Sequence, residues 1–563
     1  MKKTIIITLF ALTFLSACLN LTLAHANPNK TPNEYSKSLI ATSNTIWVPD
    51  DNTTIQEAID TAKEGDIIFV RTGTYYEHVT INKALSLIGE NKTDTIIDGN
   101  GIGTVVRTLA HNITFANLTI QKGNVGIWLW YSDNSNFTGN IISENKYGIF
   151  LSYSTNNTFT GNTISNNDDG IYLWSSGKNT FAGNIISNNN DGISLDASTY
   201  NSLTHNTLSS NNDKGIFLYH SSDNLVSGNI ILNNSYGVYV GDSDKNVLSS
   251  NKASNNQRGI YLHYSRDNIL TDNTITNNSY GIDLLDSSNN NEILHNNFIN
   301  NIESSSRSID SVNSWDNGVE GNYWSDHRGT DANRDGIDDT PYLIEENNQD
   351  NYPLMAMFLQ FNILVESRGY IINTISNSTI SNLQCHSNLD NRTSAVSFKV
   401  NGVGFCRVSI PHSLIDPPFT VTVDGNLPLY FKKVYANGTH TWLYFAYAHS
   451  EHEITIMHTS PSEQILLFRW TVIGLTIIIV VLFSIGINYY RLFNKQRKVV
   501  EAYEREVGSF PVSHEERARM RFIRDVIERE EKIEEFKRKY GIKIQPASTL
   551  EDLMEKLGVQ KES

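Results

Sequence analysis

The chain has 563 residues, too many for one ordinary hydrophobic core, so several domains are predicted. Charged residues make up only 18% of it, and 60 acidic against 44 basic side chains give a net charge of −16. This balance argues against a nucleic-acid-binding protein and suits an exterior that binds cations.

The first 26 residues predict a secretory signal. Lys2 and Lys3 precede an apolar run that ends in Ala24-His25-Ala26, which offers small residues for cleavage. Leu15-Ser16-Ala17-Cys18 is also similar to a lipoprotein signal, but the residues after Cys18 stay apolar. Cleavage after Ala26 is therefore favoured over lipidation of Cys18, and residues 27–45 are expected to be a linker outside the plasma membrane.

Residues 53–62 predict a short helix that covers one end of the domain that follows. Ile55, Ala58, Ile59 and Ala62 make one apolar helical face. Gly65-Asp66 is expected to end this helix, and residues 67–70 to begin the first sheet.

An internal repeat of about 22 residues is the strongest signal in the chain. A glycine followed by an aliphatic residue recurs at Gly126, Gly148, Gly170, Gly192, Gly215, Gly237, Gly259 and Gly281. A serine stands six residues after each, at Ser132, Ser154, Ser176, Ser198, Ser221, Ser243, Ser265 and Ser287. Two asparagine series run at Asn140, Asn162, Asn184, Asn206, Asn229, Asn251, Asn273 and Asn296, and at Asn157, Asn179, Asn201, Asn224, Asn246, Asn268 and Asn291.

The apolar stretches between these markers are three or four residues long, which predicts short strands rather than helices. No such coil can bury its own apolar residues, so the coils must stack, with asparagine ladders inside the turns. The prediction is an all-β, right-handed parallel β-helix over residues 46–355. Eight coils about 4.8 Å apart give a rod of roughly 40 Å. The repeat glycine is expected to take left-handed backbone at a corner.

Several motifs resemble those of pectin-lyase-like β-helix proteins. They are Trp47-Val48-Pro49, Thr54-Ile55-Gln56-Glu57-Ala58-Ile59, Gly65-Asp66, Gly73-Thr74-Tyr75-Tyr76-Glu77 and Leu87-Ile88-Gly89-Glu90. The coils are similar to the NosD branch, also described as carbohydrate-binding and sugar-hydrolase (CASH) β-helices. Gly321-Asn322-Tyr323-Trp324-Ser325-Asp326 and Asp350-Asn351-Tyr352-Pro353-Leu354 resemble the end of archaeal surface proteins of this branch. The resemblance covers residues 45–355 and implies the fold; carbohydrate binding, hydrolysis and copper binding are the activities it suggests.

Aromatic residues recur two and four residues after the repeat glycines, where strand alternation points them outward. The predicted glycan-binding residues are Trp128, Trp130, Phe150, Tyr172, Trp174, Phe217, Tyr219, Tyr239, Tyr261 and His263. Flat rings along a rod suit the C–H faces of sugars, and exposed apolar patches usually mark binding sites. The alternative is an aromatic ladder that only stabilises neighbouring coils.

Carboxylates stand in register nearby. Asp169 and Asp191 precede successive repeat glycines, with Asp196 close to them, so an acid/base pair is a weak candidate for catalysis. Asp before Gly is also ordinary turn chemistry, which is favoured. Copper is not expected, because the coils contain no Met or Cys and their histidines, at positions 205, 220, 263 and 295, are scattered.

Residues 331–339 resemble a calcium loop. Asp331, Asn333, Asp335 and Asp339 stand at positions 1, 3, 5 and 9 with Gly336 at position 6, but Tyr342 replaces the usual glutamate at position 12. A structural calcium site is predicted, with an Asp-rich turn as the alternative.

Residues 356–460 predict a β-sandwich beside the membrane, because alternating strand patterns are separated by turns at Asp424-Gly425 and Asn437-Gly438. Cys385 and Cys406 are the cysteines that remain after signal removal, and they are expected to pair in an oxidising exterior.

Residues 470–490 carry no charge over 21 positions, which predicts a transmembrane helix. Arg491, Lys495, Arg497 and Lys498 follow at once, so the C-terminus is expected in the cytoplasm. The tail, residues 491–563, predicts helices that either remain solvated or form a coiled coil, giving a homo-oligomer or a cytoplasmic partner.

Two classes of function remain open at this stage. A single-pass surface protein that binds extracellular glycans is preferred, without nucleic acid as a partner. A polysaccharide lyase or glycoside hydrolase is the second choice, and a copper-binding protein is the third.

Overall fold

A computed structural model describes residues 44–308, 311–345, 347–388 and 393–459, together with 484–485, 487–495, 497–498, 521–522, 525 and 528–529. Residues 1–459 form one compact unit and residues 460–563 a second. The predicted signal at 1–26 and residues 27–43 of the linker lie outside the described residues. In the second unit the described residues are helical.

Among the residues described, no helix is long and apolar enough to cross a membrane. Of the predicted span at 470–490, residues 470–483 and 486 lie outside that described set. Most of the predicted helical tail lies outside it too.

Residues 45–354 form a parallel β-helix with three sheets. Sheet A contains Thr45–Val48, Ile67–Val70, Ser86–Gly89, Thr114–Ala116, Asn136–Thr138, Thr158–Thr160, Thr180–Ala182, Ser202–Thr204, Leu225–Ser227, Val247–Ser249, Ile269–Thr271 and Glu292–Leu294. Sheet B contains Gly73–Tyr75, Thr95–Asp98, Thr119–Gln121, Ile141–Ser143, Thr163–Ser165, Ile185–Ser187, Thr207–Ser209, Ile230–Leu232, Lys252–Ser254, Thr274–Thr276, Asn297–Ile299 and Tyr323–Trp324. Sheet C contains Val79–Ile81, Thr104–Thr108, Val125–Trp130, Tyr147–Ser152, Asp169–Trp174, Asp191–Asp196, Lys214–Tyr219, Tyr236–Gly241, Arg258–His263, Tyr280–Leu285 and Glu303–Ser308.

The β-helix is therefore longer than the eight regular coils suggested. Sheets A and B have 12 strands each and sheet C has 11, because less regular coils precede Gly126 and follow Gly281. Twelve strands at the usual spacing give a length of about 50 Å. The prediction of eight coils was too low, since the early coils do not keep the repeat on which the count relied.

The core is one continuous apolar column inside the three sheets. Every second residue of each strand points inward, and residues such as Ile171, Leu173 and Ile186 are fully buried. Phe115, Phe137, Phe159 and Phe181 stack inside sheet A, and the Phe137 and Phe159 ring centroids are 4.8 Å apart. Each coil thus buries its apolar side chains only because the coils above and below it complete the core.

Asparagine ladders fill the corners, as predicted. The side-chain oxygen of Asn184 accepts hydrogen bonds from the backbone N–H and the side-chain amide of Asn162, both at 3.0 Å. Asn184 in turn donates to the carbonyl of Phe159 and to the side chain of Asn206, both at 2.9 Å. A third ladder joins Asn145, Asn167, Asn189, Asn211, Asn234, Asn256, Asn278 and Asn301. These amides satisfy backbone groups that the turns would otherwise bury unpaired.

Two expectations about the corners were wrong. The repeat glycines do not have left-handed backbone; a Cβ at Gly148 would stand 2.5 Å from the carbonyl oxygen of Gly170, so glycine is required by close packing. Left-handed backbone falls instead on other residues, such as Tyr153, with φ of 51°. The repeat serines also form a ladder of hydrogen bonds, and its last member is the buried Ser288 rather than the predicted Ser287. The coil that begins at Gly281 has one extra residue before its corner.

The predicted N-terminal cap is a helix at Ile55–Thr61. The Thr54 side chain accepts from the Glu57 N–H at 3.1 Å, and the Glu57 carboxylate accepts from the Thr54 N–H at 3.3 Å, a capping box. The Glu77 carboxylate accepts from the N–H groups of Ile55 and Gln56 at 3.0 Å. The apolar face of the helix is buried over the first coil.

Asp350 ends the β-helix at the other side. It is fully buried, and it accepts from the Asn322 N–H at 2.7 Å and from the indole N–H of Trp324 at 2.9 Å. Burial raises the pKa of Asp350 to about 6. Asn322 is the last member of the Asn140 ladder, so this carboxylate closes a chain of side-chain hydrogen bonds. A short hairpin, Tyr342–Glu345 and Asn348–Asp350, holds it.

The C-terminal domain is one antiparallel sheet of seven strands. They are Met357–Val365, Arg368–Ser376, Thr379–Asn388, Thr393–Pro411, Phe419–Val423, Tyr430–Ala436 and His440–His458. The two longest strands, Thr393–Pro411 and His440–His458, have 19 residues each and pair along most of their length. Residues from both ends of these two strands lie in one apolar core. The predicted β-sandwich is thus a continuous sheet packed on itself rather than two separate sheets.

The predicted pairing of Cys385 with Cys406 is not formed, and both are free thiols. Cys385 lies opposite Val396, whereas Cys406 lies opposite Ser376 and Phe445, so the sheet register gives each cysteine different neighbours. Burial raises the pKa of both thiols, which disfavours the reactive thiolate.

The asparagine ladder yields a direct test of stability. Asn184→Ala should destabilise the β-helix by about 1–3 kcal/mol for each buried partner left unpaired. Asn190→Ala is the matched control, because Asn190 is exposed at the next corner. Urea unfolding curves measure both variants, and equal midpoints would contradict a stabilising ladder.

Candidate functional site

The outer face of sheet C carries three columns of outward side chains. The middle column, two residues after each glycine, is Trp128, Phe150, Tyr172, Ser194, Phe217, Tyr239, Tyr261 and Asp283. The edge column, four residues after, is Trp130, Ser152, Trp174, Asp196, Tyr219, Gly241, His263 and Leu285. The front column, just before the glycine, is Val125, Tyr147, Asp169, Asp191, Lys214, Tyr236, Arg258 and Tyr280. Parallel pairing holds the middle and edge columns in register from coil to coil.

Rings of the middle column are half-buried and touch their neighbours. The ring centroids of Trp128 and Phe150 are 6.1 Å apart and nearly parallel, and those of Tyr239 and Tyr261 are 4.7 Å apart. Contacts of this kind between adjacent strands stabilise a sheet. The middle column therefore acts as the aromatic ladder that the sequence left as an alternative.

Rings of the edge column are more exposed. Trp130, Trp174 and Tyr219 are 38%, 41% and 37% exposed, and small or acidic residues stand between them. The structure thus divides the predicted binding residues into a packed ladder and an accessible edge.

Further aromatic residues belong to this face and were not predicted. Tyr147 and Tyr236 lie in the front column, and Tyr131 and Tyr153 occupy the corner after the edge column, where their rings stack 5.0 Å apart. The guanidinium of Arg107 lies 4.8 Å from the Trp128 ring centroid. The 22-residue spacing of Tyr131 and Tyr153 is a signal that could have revealed them.

The aromatic columns are interrupted in the middle of the face by an acidic group. Ser194 replaces a ring in the middle column; Asp191 begins and Asp196 ends the same strand, and Asp169 lies opposite Asp191 on the adjacent coil. The Tyr172 hydroxyl donates to Asp196 at 3.3 Å, and Ser194 lies 3.5 Å from Asp191. Of the three weak candidates for catalysis, Asp169 and Asp191 are neighbours in the front column, whereas Asp196 lies in the edge column between Trp174 and Tyr219.

The carboxylates of this group differ in their electrostatic surroundings. Burial, helped by the nearby charges of Asp191 and Asp168, raises the pKa of Asp169 to about 6. Burial also raises the pKa of Asp191, but this carboxylate accepts from the Lys214 N–H at 3.1 Å and lies 3.6 Å from its ammonium. Asp169 can thus hold a proton near neutral pH while its neighbour is paired with a cation.

In the Asp-rich loop at 331–339, predicted calcium ligands form hydrogen bonds with other residues of the loop. Asp331 accepts from the N–H groups of Asp335 and Gly336 at 2.9 Å, and Asp339 accepts from the Ala332 N–H and from the side chain of Asn333. Within the described part of the chain, no group of three His, Cys, Asp or Glu residues is arranged to hold a metal ion. Calcium binding by this loop stays a prediction.

The same loop contacts the C-terminal domain. Arg407 donates to the Asp335 carbonyl at 2.8 Å, and its guanidinium also pairs with the Glu320 carboxylate, both side chains being buried. Lys432 donates to the Asn333 carbonyl at 2.8 Å. The loop therefore helps to join the end of the β-helix to the sheet that follows it.

Comparison with protein families identifies the repeats. The family described as "Periplasmic copper-binding protein (NosD)" matches residues 59–241 and 208–329. The β-helix thus matches the NosD family model over residues 59–329, which are called the NosD region below. No curated protein matches the chain.

Several solved structures are similar to this chain at low identity. The A-module of the mannuronan C-5 epimerase AlgE6 of Azotobacter vinelandii is 17% identical, covers 47% of this chain and 94% of its own, and has a TM-score of 0.40. The catalytic unit of a GH87 α-1,3-glucanase from Streptomyces thermodiastaticus is 14% identical, covers 52% and 71%, and has a TM-score of 0.42. Sequence identities and TM-scores this low do not indicate that this chain shares the activity of these enzymes.

The residues of the NosD region do not fit a copper site. His220 and His263 are two coils apart; His220 packs on Tyr219, and His263 packs on Tyr264 and lies 2.9 Å from Asp286. His295 is 2.9 Å from Glu320 in the junction with the C-terminal domain. Copper carriers gather Met, Cys and His around one point, and this region does not do so within the described residues.

The pKa of Asp169 predicts a pH-dependent stability. Because this pKa is raised above its unfolded value, the protonated carboxyl stabilises the fold at about pH 4, and that contribution is lost as the pH rises through about 6. Asp169→Asn should therefore raise stability at pH 7 by on the order of 1–2 kcal/mol, allowing for partial exposure, and leave it unchanged near pH 4. Melting curves of both proteins check this. Asp168→Asn, at an exposed neighbour, should have a smaller effect. If Asp169→Asn differs from the natural chain by the same amount at pH 4 and pH 7, the assignment is contradicted.

Proposed function

We propose that this protein binds polysaccharide along the outer face of sheet C. The observation that carries the proposal is the edge column, in which Trp130, Trp174 and Tyr219 remain more than a third exposed on a rigid sheet. An aromatic ring offers a flat apolar surface for the C–H face of a sugar, and nearby carboxylates accept hydrogen bonds from its hydroxyl groups. Three exposed rings on one face exceed what packing between coils requires, because the middle column already supplies that packing.

The proposal includes a location at the cell surface. Its support is the sequence, with a secretory signal at residues 1–26, a 21-residue apolar segment at 470–490 and basic residues directly after that segment. A single-pass protein of this kind would hold the β-helix outside the plasma membrane, where polysaccharides are available.

Trp174→Ala tests the binding function. The variant should bind its polysaccharide about 10- to 100-fold more weakly, since losing an aromatic anchor costs about 1–3 kcal/mol. Its melting temperature should hardly change, because the ring lies outside the core. Tyr200→Ala is the control, since Tyr200 is 60% exposed at a corner beyond this face. A polysaccharide array followed by calorimetry measures both, and equal binding by the two variants would refute the role of the edge column.

A polysaccharide lyase or hydrolase is the second candidate function. The observation that favours it is the set of carboxylates on this face: Asp196 lies between Trp174 and Tyr219 in the edge column, and Asp169 and Asp191 lie across the face in the front column. Asp169, with its pKa near 6, has the property of a general acid, and Asp191 or Asp196 that of a base or nucleophile.

Asp191→Asn separates the two candidates. If the protein is an enzyme, this variant should bind polysaccharide as before but lose new reducing ends or unsaturated products by at least about a hundredfold. If the face only binds, the natural chain itself should release no product during prolonged incubation. Asp213→Asn serves as the control, because Asp213 also pairs with Lys214 but belongs to the preceding corner.

A further inference from the structure

The edge column alternates strictly along the regular coils. Trp130, Trp174, Tyr219 and His263 carry rings, and each pair of rings is separated by one coil with Ser152, Asp196 or Gly241. The middle column shows no such alternation, since Trp128, Phe150 and Tyr172 follow on successive coils. Only the exposed column has a period of two coils.

The alternation sets a distance. Adjacent parallel strands are about 4.8 Å apart, so neighbouring rings of the edge column are about 10 Å apart, and the four rings together span about 29 Å. Rings two coils apart do not contact each other directly. Trp130 and Trp174 are linked through Tyr131 and Tyr153 at the corner, whereas none of the ring contacts of the described residues joins Trp174 to Tyr219.

A matching period occurs in one class of sugar polymer. In an extended β-1,4-linked chain each sugar is turned over relative to the one before it, so the same face returns at every second sugar. The repeating disaccharide is about 10 Å long, equal to two coils of this β-helix. Glucose chains with α-1,4 or β-1,3 links curve and do not present the same face at this interval.

The charge of the face restricts the polymer further. Asp169, Asp191 and Asp196 lie in the middle of the edge and front columns, and Lys214 is paired with two aspartates. A polymer with a negative charge on each sugar would be repelled there, whereas hydroxyl or amide N–H groups would find acceptors.

We propose that the ligand is an uncharged, extended β-1,4-linked polysaccharide that lies along the axis of the β-helix, with every second sugar on a ring of the edge column. This inference rests on the proposed function and names its ligand class. Because one disaccharide is as long as two coils, a chain of about six to eight sugars occupies all four rings.

The test compares a deletion that changes the spacing of the remaining edge-column rings with a deletion that keeps it. Deleting residues 175–196, one coil of 22 residues, brings Trp174 next to Tyr219. Deleting residues 153–196, two coils, removes Trp174 but keeps the remaining rings on alternate coils. Both deletions remove Asp191 and Asp196. They differ in the spacing of the remaining edge-column rings and in the loss of residues 153–174, which include Trp174.

The full chain and both variants are titrated with hexamers of β-1,4-linked glucose, mannose, xylose and N-acetylglucosamine, and with α-1,4- and β-1,3-linked glucose hexamers. The full chain should prefer a β-1,4 hexamer by at least about tenfold. The one-coil deletion should lose this preference, and the two-coil deletion should keep it with weaker overall binding. Circular dichroism and melting curves establish that each variant folds.

A second variant moves one ring by a single coil. Ser152→Trp combined with Trp174→Ser keeps the composition of the face and places a ring out of phase, so it too should lose the preference. Binding of glycans without preference for β-1,4 links, or a preference unchanged by both phase changes, would overturn the inference and leave the binding function standing. If no polysaccharide binds to the full chain, the proposed function itself fails.

Discussion

The side-chain amide of a ladder asparagine such as Asn184 accepts hydrogen bonds from the preceding coil and donates to both the preceding and the following coil. In this way Asn162, Asn184 and Asn206 hold three coils at one spacing and in one register. Close approach of the repeat glycines, such as Gly148 to Gly170, depends on that register. The columns on the outer face of sheet C exist because this register is kept over eight coils, so any function of the face depends on hydrogen bonds at the corners.

Much of the fold could be predicted from the sequence because its signals repeat. Twenty-two-residue spacing locates the coils, alternation within each short strand assigns Ile171 to the core and Tyr172 to the surface, and the capping residues locate the helix at Ile55–Thr61. The conformation of the glycines was not predictable in the same way. A glycine tolerates left-handed backbone and also permits close contact, and only the position of the neighbouring Gly170 carbonyl decides between them.

The site was predicted in part. Outward rings and neighbouring aspartates follow from periodicity, but their burial does not, because it depends on how the rings lean on one another. Tyr239, for example, was predicted to bind glycans, but its ring is half-buried and lies against Gly241. Cys385 and Cys406 show a related limit, since their separation is set by the sheet register rather than by their distance in sequence. The role of the Asp-rich loop also depends on Arg407, which lies some seventy residues further along the chain.

Both ends of the β-helix are covered, and this has a consequence for its behaviour at high concentration. A stack of parallel coils leaves unpaired backbone groups at each end, which are a template for the strands of another molecule. Here a helix closes one end with the help of Glu77, and the C-terminal sheet, joined through the buried pair of Arg407 and Glu320, lies at the other. A protein whose asparagine ladders resemble those of amyloid fibrils is thereby kept from end-to-end growth into fibres.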